Sequence, residues 1–359
     1  MKKNLLLVLL LIILICLVIF PKDSIEAGKS AVNICLYTII PTLLPFFIIS
    51  NIMVSARLLD GIVRIFTPIT LKVFGVSGYM CFVYFTAMLS GYPVGSKLTS
   101  DLYVSGQISS GEANRLAQFS LVTGPAFMLV IASLLNIPKS FIYIFLSHHT
   151  AMGLVAIFYT FIFKKPRTEK LKFAGNTDDK FNFGMLLNKS LIDSAKTLSL
   201  ICCLVIFFYT LTAIIDQTEI LDKTYSWVFK DEINNTPIKE VIFGFFEMAL
   251  GCIKISESTI SMNQKISISS GILSFGGVSI YLQAKTILNG AKIKAKGLFV
   301  VKLCHGLIAY LTCSFMLKLF PLKIPTAKIM YTTKAINFIY LYLPLLIFVY
   351  LIIKLKKKD

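Results

Sequence analysis

Two short stretches place glycine, proline and small polar residues inside long apolar runs. SGYP (90–93) follows the apolar run YMCFVYFTAML, and TGP (123–125) interrupts a second apolar segment. Proline suits the first position of a helix, where its missing N–H costs nothing, and a preceding glycine lets the backbone turn. Each stretch therefore predicts the N-terminus of a new helix. Its free N–H groups and partial positive charge favour an anion, particularly a carboxylate.

The second half of the chain has corresponding glycines, and polar residues lie beside the breaks in both halves. We interpret these positions as one substrate site near the middle of a membrane, where broken backbone must be covered by protein or line a wet cavity. The alternative to a substrate site is a purely structural role, in which the Gly–Pro pairs kink packed helices. The candidate substrate-binding residues are Ser90, Gly91, Tyr92, Pro93, Ser96, Lys97, Thr123, Gly124, Pro125, Gly251, Gly276, Gly277, Ser279 and Gln283.

Several of these polar residues keep two interpretations. Lys97 could pair with substrate charge or extend towards the inner membrane surface. Glu247 lies in an apolar arm, where a carboxylate is costly; it could bind a coupling proton or sodium ion, or pair with Lys254. Gln283 could reach the cavity or bond to a neighbouring helix. His148 and His305 occupy equivalent positions, which favours packing over proton relay.

Other classes of site find no support in the sequence. It contains no H-E-x-x-H and no G-x-S-x-G motif, GYPVGSK lacks the phosphate-loop spacing, and the eight cysteines form no C-x-x-C pair. We therefore predict no enzyme activity, cofactor or metal site. Any uphill transport would then depend on an ion gradient or a downhill substrate.

Composition indicates a polytopic membrane protein. Of the 359 residues, 56% are hydrophobic and only 15% are charged, with a mean hydropathy of +0.78. The formal charge of +18 comes mainly from lysines at the ends of apolar segments and in short loops, which follows the positive-inside bias and argues against nucleic-acid binding.

An internal repeat is visible at an offset of about 160 residues. GKSAVNICLYTIIPTLLPFFI (28–48) aligns with NKSLIDSAKTLSLICCLVIFF (188–208), and FTAMLSGY (85–92) with FFEMALGC (245–252). Segment 55–76 is basic whereas its counterpart 216–239 is acidic, which predicts that the two repeats are inverted in the membrane.

Helix lengths and loop charges predict the topology. The arms on either side of Gly91 have about 12 residues each, or ~18 Å, which reaches the midplane but cannot cross. A re-entrant hairpin over 77–104 also keeps the basic loop 164–172 inside, although it places the basic segment 318–334 outside, against the charge rule. A capping box, Ser109 with Glu112, starts the next helix.

We thus predict an all-α polytopic membrane protein with two inverted repeats, each containing a re-entrant helical hairpin and a broken transmembrane helix, and about eight full crossings. Its predicted parts are an N-terminal transmembrane helix (1–27), a first repeat (28–164), a cytoplasmic linker (165–184), a second repeat (185–319), and a C-terminal transmembrane helix with a basic tail (320–359).

The motifs around the breaks resemble those of a known family. SGYPVGSK (90–97), GQISSGEANRLAQF (106–119) with TGPAF (123–127), and FGGVSIYLQ (275–283) are similar to motifs of the YlbJ-type (SpoVV-type) sporulation integral membrane proteins. The resemblance extends from about Lys29 to Leu319. It implies nucleoside-recognition Gate domains, which also occur in concentrative nucleoside transporters and ferrous-iron transporters.

The resemblance also implies a role and a place. It implies a transporter in the mother-cell membrane around the forespore of a spore-forming bacterium, with dipicolinate, a small aromatic dicarboxylate, as the cargo. Two alternatives remain: a nucleoside-type transporter, and a non-transporting scaffold in spore envelope assembly. The expected partners are the lipid bilayer, the small anion, and a second copy or other sporulation membrane proteins.

Overall fold

The computed structural model describes residues 2–56, 58–163, 183–218 and 237–322, and all regular structure in these ranges is helical. The helices before the first break are α1 (Lys2–Ile19), α2 (Pro21–Ile34), a π-helical turn (Cys35–Ile39), α3 (Ile40–Ser55) and α4 (Asp60–Phe74). The next are α5 (Tyr79–Ser90), α6 (Val94–Val104), α7 (Ser110–Phe119), α8 (Pro125–Leu134) and α9 (Ser140–Ile162). The remaining helices are α10 (Phe183–Gln217), α11 (Ile238–Phe246), α12 (Met248–Glu257), α13 (Met262–Phe275), α14 (Gly277–Gly290) and α15 (Leu298–Leu319).

Within the described ranges, four helical segments are long and apolar enough to cross a membrane: α9, α10, α13 with α14, and α15. A fifth is added if Val63–Phe74 and Tyr79–Ser90, which are bent by 89°, count as one span. These segments confirm the predicted all-α polytopic membrane fold. The number of crossings, the inverted orientation of the repeats and the limits of the predicted parts stay predictions, and the predicted C-terminal helix at 335–355 lies outside the described residues.

The order of helices recurs along the chain. Two short helices around a break, a turn, two further helices around a second break, and one long helix form α5 to α9, and the same series forms α11 to α15. The short helices of the first hairpin, α5 and α6, have 12 and 11 residues, so each is only ~18 Å long at 1.5 Å per residue. Neither can cross the ~30 Å hydrocarbon core alone.

Helices α6 and α14 run side by side in the same direction. Just before each helix, a Cβ atom built on Gly276 would lie 3.3 Å from Tyr92 Cζ. Further along both, the Ser100 hydroxyl donates to the carbonyl of Ile287 at 3.5 Å. The two contacts show that α6 and α14 are parallel and that both begin at the breaks. Helix α8 packs against α12.

Side chains of α7 bind the ends of other helices at one end of the bundle. Arg115 donates to the carbonyls of Phe74 (2.8 Å) and Phe163 (2.9 Å), at the C-terminal ends of α4 and α9. Gln118 donates to the carbonyl of Lys296 in the loop that follows α14. The predicted capping box is confirmed, since Ser109 and Glu112 bond reciprocally at the start of α7.

Candidate functional site

The two breaks of the first half touch each other through their backbones. Gly91 has φ +90°, and a Cβ atom built on it would lie 2.7 Å from the backbone nitrogen of Gly124. A Cβ atom on Gly124 would in turn lie 2.9 Å from the nitrogen of Gly91. Because real Cβ atoms do not approach so closely, both positions require glycine. The structure thus brings together SGYP and TGP, which the sequence had suggested only through equal helix lengths.

The second glycine of SGYPVGSK has a packing function that the sequence analysis missed. A Cβ atom on Gly95 would lie 1.9 Å from the carbonyl oxygen of Ser120, so α6 and the end of α7 are in backbone contact. The available signal was a glycine near the start of a helix, where the absence of a side chain allows another backbone to approach closely.

The breaks of the second half also meet, but one of them lies earlier than predicted. The break between α11 and α12 is at Glu247 (φ −140°), one turn before Gly251. Gly277 (φ +79°) packs against it, since a Cβ atom there would lie 3.1 Å from the Phe246 carbonyl oxygen. The placement of the break at Gly251 was therefore wrong. Gly251 lies within α12, where a Cβ atom would be 2.2 Å from Gly244 Cα, so its role is to pack α12 against α11.

The Glu247 carboxylate caps α12. Its Oε2 accepts a hydrogen bond from the N–H of Leu250 at 2.7 Å, and the residue is only 3% exposed. Lys254 instead pairs with Asp216 at 2.8 Å, so the predicted alternative of a Glu247–Lys254 pair was wrong. The positive end of α12 therefore already holds a carboxylate of the chain itself.

The proline positions agree with prediction at one break and differ at the other. Pro125 is the first residue of α8, as predicted, whereas Pro93, after a cis peptide bond from Tyr92, is the N-cap of α6. The predicted free N–H groups of α6 are partly used. The N–H of Val94 donates to the Gly91 carbonyl, and the N–H groups of Ser96 and Lys97 donate to the Pro93 carbonyl. This leaves fewer donors for an anion at α6 than the sequence suggested.

Lys97 forms an ion pair with Asp101, one turn further along α6, and its Nζ also lies 3.5 Å from Asn51 Oδ1. The side chains of Lys97 and Asp101 are 12% and 24% exposed. The lysine is thus held on α6 beside α3. Whether it also contacts a substrate stays a prediction.

Several predicted polar residues already have partners, and three do not. The Ser90 hydroxyl donates to the Thr86 carbonyl (2.6 Å), and the Thr123 hydroxyl donates to the Leu273 carbonyl (2.7 Å). By contrast, the hydroxyls of Ser96 and Ser279 and both amide atoms of Gln283 are buried and have no hydrogen-bond partner among the residues that the structure describes.

These three side chains lie in the first two turns of the parallel helices α6 and α14. We call Ser96, Ser279 and Gln283 the open polar face. Buried polar atoms normally find partners, so this face is suited to a ligand that offers both donors and acceptors.

Lys302 of α15, which the sequence analysis did not single out, lies at the centre of a buried network. It is 1% exposed, and its Nζ is 2.6 Å from the Tyr92 hydroxyl, 2.9 Å from the Leu121 carbonyl and 3.3 Å from His305 Nδ1. The network connects SGYP and the second break of the first half to the long helix of the second half. The signal in the sequence was a lysine in the interior of an apolar helix, three residues before His305.

The hydrogen-bond partners assign the tautomers of both histidines. The N–H of Thr123 donates to His148 Nε2 at 3.1 Å, so His148 carries its proton on Nδ1 and donates to the Ser274 hydroxyl at 2.7 Å. His305 Nε2 donates to the His148 carbonyl at 2.9 Å, which leaves Nδ1 to accept from Lys302. The two rings lie 4.6 Å apart. The equivalent histidines therefore pack directly against each other.

No group of three or more His, Cys, Asp or Glu side chains within the described ranges is placed to hold a metal ion. The chemistry that the site offers is hydrogen bonding, one buried amine and the partial charges of helix ends.

Comparison with known proteins gives one similarity of note. The chain is 27% identical over 311 residues to the sporulation integral membrane protein YlbJ of Bacillus subtilis (strain 168), covering 80% of this chain and 76% of that protein. No protein-family model and no solved structure matches the chain. The likeness confirms the predicted resemblance to YlbJ-type proteins and the membrane location.

Proposed function

We propose, from the premise that the chain is a YlbJ-type sporulation integral membrane protein, that it transports a small anionic metabolite, dipicolinate, into the developing forespore. Its place would be the mother-cell membrane that surrounds the forespore. The chain would act as a secondary transporter or facilitator, with no chemical step of its own.

The observation that carries this proposal is the meeting of broken helices in both halves. Gly91 touches Gly124, and Gly277 touches the break at Glu247. Non-helical backbone at membrane depth is tolerated only where protein covers it or where it lines a cavity, and transporters place their substrate sites at such breaks. The open polar face lies immediately after two of these breaks and supplies unpaired donors and acceptors.

Charge supports an anion rather than a cation. The buried amine of Lys302 lies beside the break at Tyr92, and within the described ranges no carboxylate pairs with it. The carboxylate nearest to the second pair of breaks, that of Glu247, is engaged with a helix N-terminus. A dicarboxylate at the breaks would therefore lie beside an amine that can hold a proton.

A nucleoside-type transporter is the second candidate, and the open polar face favours it. An unpaired amide such as that of Gln283, together with the unpaired hydroxyls of Ser96 and Ser279, is the kind of group that recognises a nucleobase edge or a ribose. Such a neutral substrate would not require the positive charge of Lys302.

Uptake into proteoliposomes tests the proposal. The purified chain should take up labelled dipicolinate faster than empty vesicles, and unlabelled dipicolinate, rather than a nucleoside, should compete. Gln283→Leu should reduce uptake by about 5- to 150-fold, because polar groups of a buried ligand that lose their hydrogen-bond partner cost roughly 1–3 kcal/mol. The control is Thr286→Val on the exposed side of α14, which should transport normally.

Uptake of a nucleoside in place of dipicolinate would support the second candidate. Absence of any uptake, together with a co-purifying spore-envelope protein, would contradict transport and favour the scaffold.

A further inference from the structure

The contacts of Lys302 place its amine between three acceptors that come from both halves of the chain. Two come from the first half, the Tyr92 hydroxyl (2.6 Å) and the Leu121 carbonyl (2.9 Å), and one from the second half, His305 Nδ1 (3.3 Å). The Lys302 ammonium also lies 4.7 Å from the centre of the Tyr92 ring. Three acceptors match the three N–H bonds of a protonated lysine.

In this protonated arrangement every group of the network is satisfied. The Tyr92 oxygen accepts from Lys302, and the Tyr92 hydroxyl donates to the carbonyl of Leu273 (3.0 Å) or Ser274 (3.2 Å). His305 accepts through Nδ1 because its Nε2 donates to the His148 carbonyl.

The neutral arrangement is satisfied as well. A neutral amine has two hydrogens and one lone pair. Leu121 and His305 would receive the two hydrogens, and the Tyr92 hydroxyl would rotate to donate to the lone pair. No heavy atom has to move, and the carbonyl of Leu273 still accepts from the Thr123 hydroxyl. The amine can therefore lose its proton while it and its three partners all keep a hydrogen bond. A buried polar group left without a partner would cost ~1–3 kcal/mol.

Among the described residues, few other titratable groups lie near the amine. The titratable groups that face Lys302 are Tyr92 from the first break and His305 on its own helix, with His148 and His149 of α9 behind them. From α13 the facing groups are Leu273 and Ser274, which do not titrate. Burial disfavours an unpaired charge, so an arriving anion favours the protonated amine and its departure favours the neutral one.

We propose that Lys302 holds the proton that accompanies the anion, so that the protein is a proton–anion symporter. This inference rests on the proposed function. Anion and proton would enter together because the ammonium stabilises the anion at the breaks, and would leave together because the empty site offers no counter-charge to a buried ammonium.

Vesicles containing a pH-sensitive dye, with the purified chain in the membrane, test the inference. Dipicolinate added outside should acidify the interior. A pH gradient with the acidic side outside should increase the accumulation of dipicolinate. Lys302→Arg, which keeps a permanent charge, and Lys302→Met, which has none, should each lower the ratio of proton entry to dipicolinate exchange at least tenfold. The matched controls are Lys285→Arg and Lys285→Met on α14, where the amine donates to the Lys294 carbonyl at the surface; these should keep the wild-type ratio.

The outcomes separate the two proposals. Exchange of dipicolinate without proton entry in the wild-type chain, or proton entry that persists in both Lys302 variants, would overturn the assignment of Lys302 and leave transport intact. Accumulation driven by sodium alone would do the same. If the wild-type chain exchanges no dipicolinate, the proposed function fails and the coupling inference fails with it.

Discussion

The α-carbons of Gly91 and Gly124 belong to different helix breaks, yet a Cβ atom on either residue would lie within 2.9 Å of the other's backbone. Two breaks separated by more than thirty residues are thus locked against each other. A contact between irregular backbones cannot slide as helices do, because neither has a side chain to repack. The breaks are therefore one rigid unit, which is what a site of defined geometry requires.

Gly124→Ala should destabilise this unit. Gly124 has φ −77°, which any residue adopts, so the effect of a methyl group is purely steric. Overpacking of this kind typically costs 1–3 kcal/mol, and the backbone of Ser90 and Gly91 cannot yield cheaply. Thermal unfolding in detergent should show a clear fall in midpoint.

Gly153→Ala is the matched control for that substitution. Gly153 is a helical glycine of α9 with nothing within 4 Å of a built Cβ atom. The change should be neutral or stabilising by up to ~1 kcal/mol, since alanine is the better helix former. Equal midpoints for the two variants would contradict the contact between the breaks.

Glu247→Ala should destabilise the start of α12. It removes the carboxylate that accepts from the Leu250 N–H, and loss of an N-cap costs ~0.5–2 kcal/mol. Glu247→Gln keeps an acceptor oxygen and should lose less. Thermal unfolding in detergent compares the two variants. A glutamine variant as unstable as the alanine variant would show that the negative charge of Glu247, and not only its acceptor oxygen, stabilises the protein.

The sequence predicted the kind of element well and the local geometry less well. Glycine, proline and a capping box mark helix ends chemically, so α7 and α8 begin where predicted. The break at Glu247 has no such marker, since Phe246 and Met248 are ordinary helix residues; only packing against Gly277 shows it. The repeat alignment then carried the first-half pattern onto Gly251, one turn too far.

Contacts between distant segments were the part that the sequence could not supply. Lys302 is 210 residues from Tyr92, and neither residue alone predicts the other as a partner. A rule that treats every ionisable residue inside an apolar helix as functional would have selected Lys302. It would not have identified its acceptors, because the tautomers of His148 and His305 depend on the folded network.

Cysteine labelling tests the predicted topology. Ser110 at the start of α7 and Asn263 at the start of α13 are both exposed. In inverted repeats they lie on opposite sides of the membrane. In a cysteine-free background, Asn263→Cys should react with an impermeant reagent from outside, whereas Ser110→Cys should react only after permeabilisation. Reaction of both positions from the same side would refute the inverted arrangement.

A double-mutant cycle separates the two roles left open for Lys97. If the ion pair with Asp101 is its only role, Lys97→Met and Asp101→Asn should each lower stability and uptake, and the double variant should recover both, with a coupling energy of ~0.5–3 kcal/mol. If Lys97 also contacts the anion, the double variant should regain stability but keep a raised KM for dipicolinate. Unfolding midpoints and uptake kinetics on the same preparations distinguish these results, because a purely structural pair moves the two readouts together.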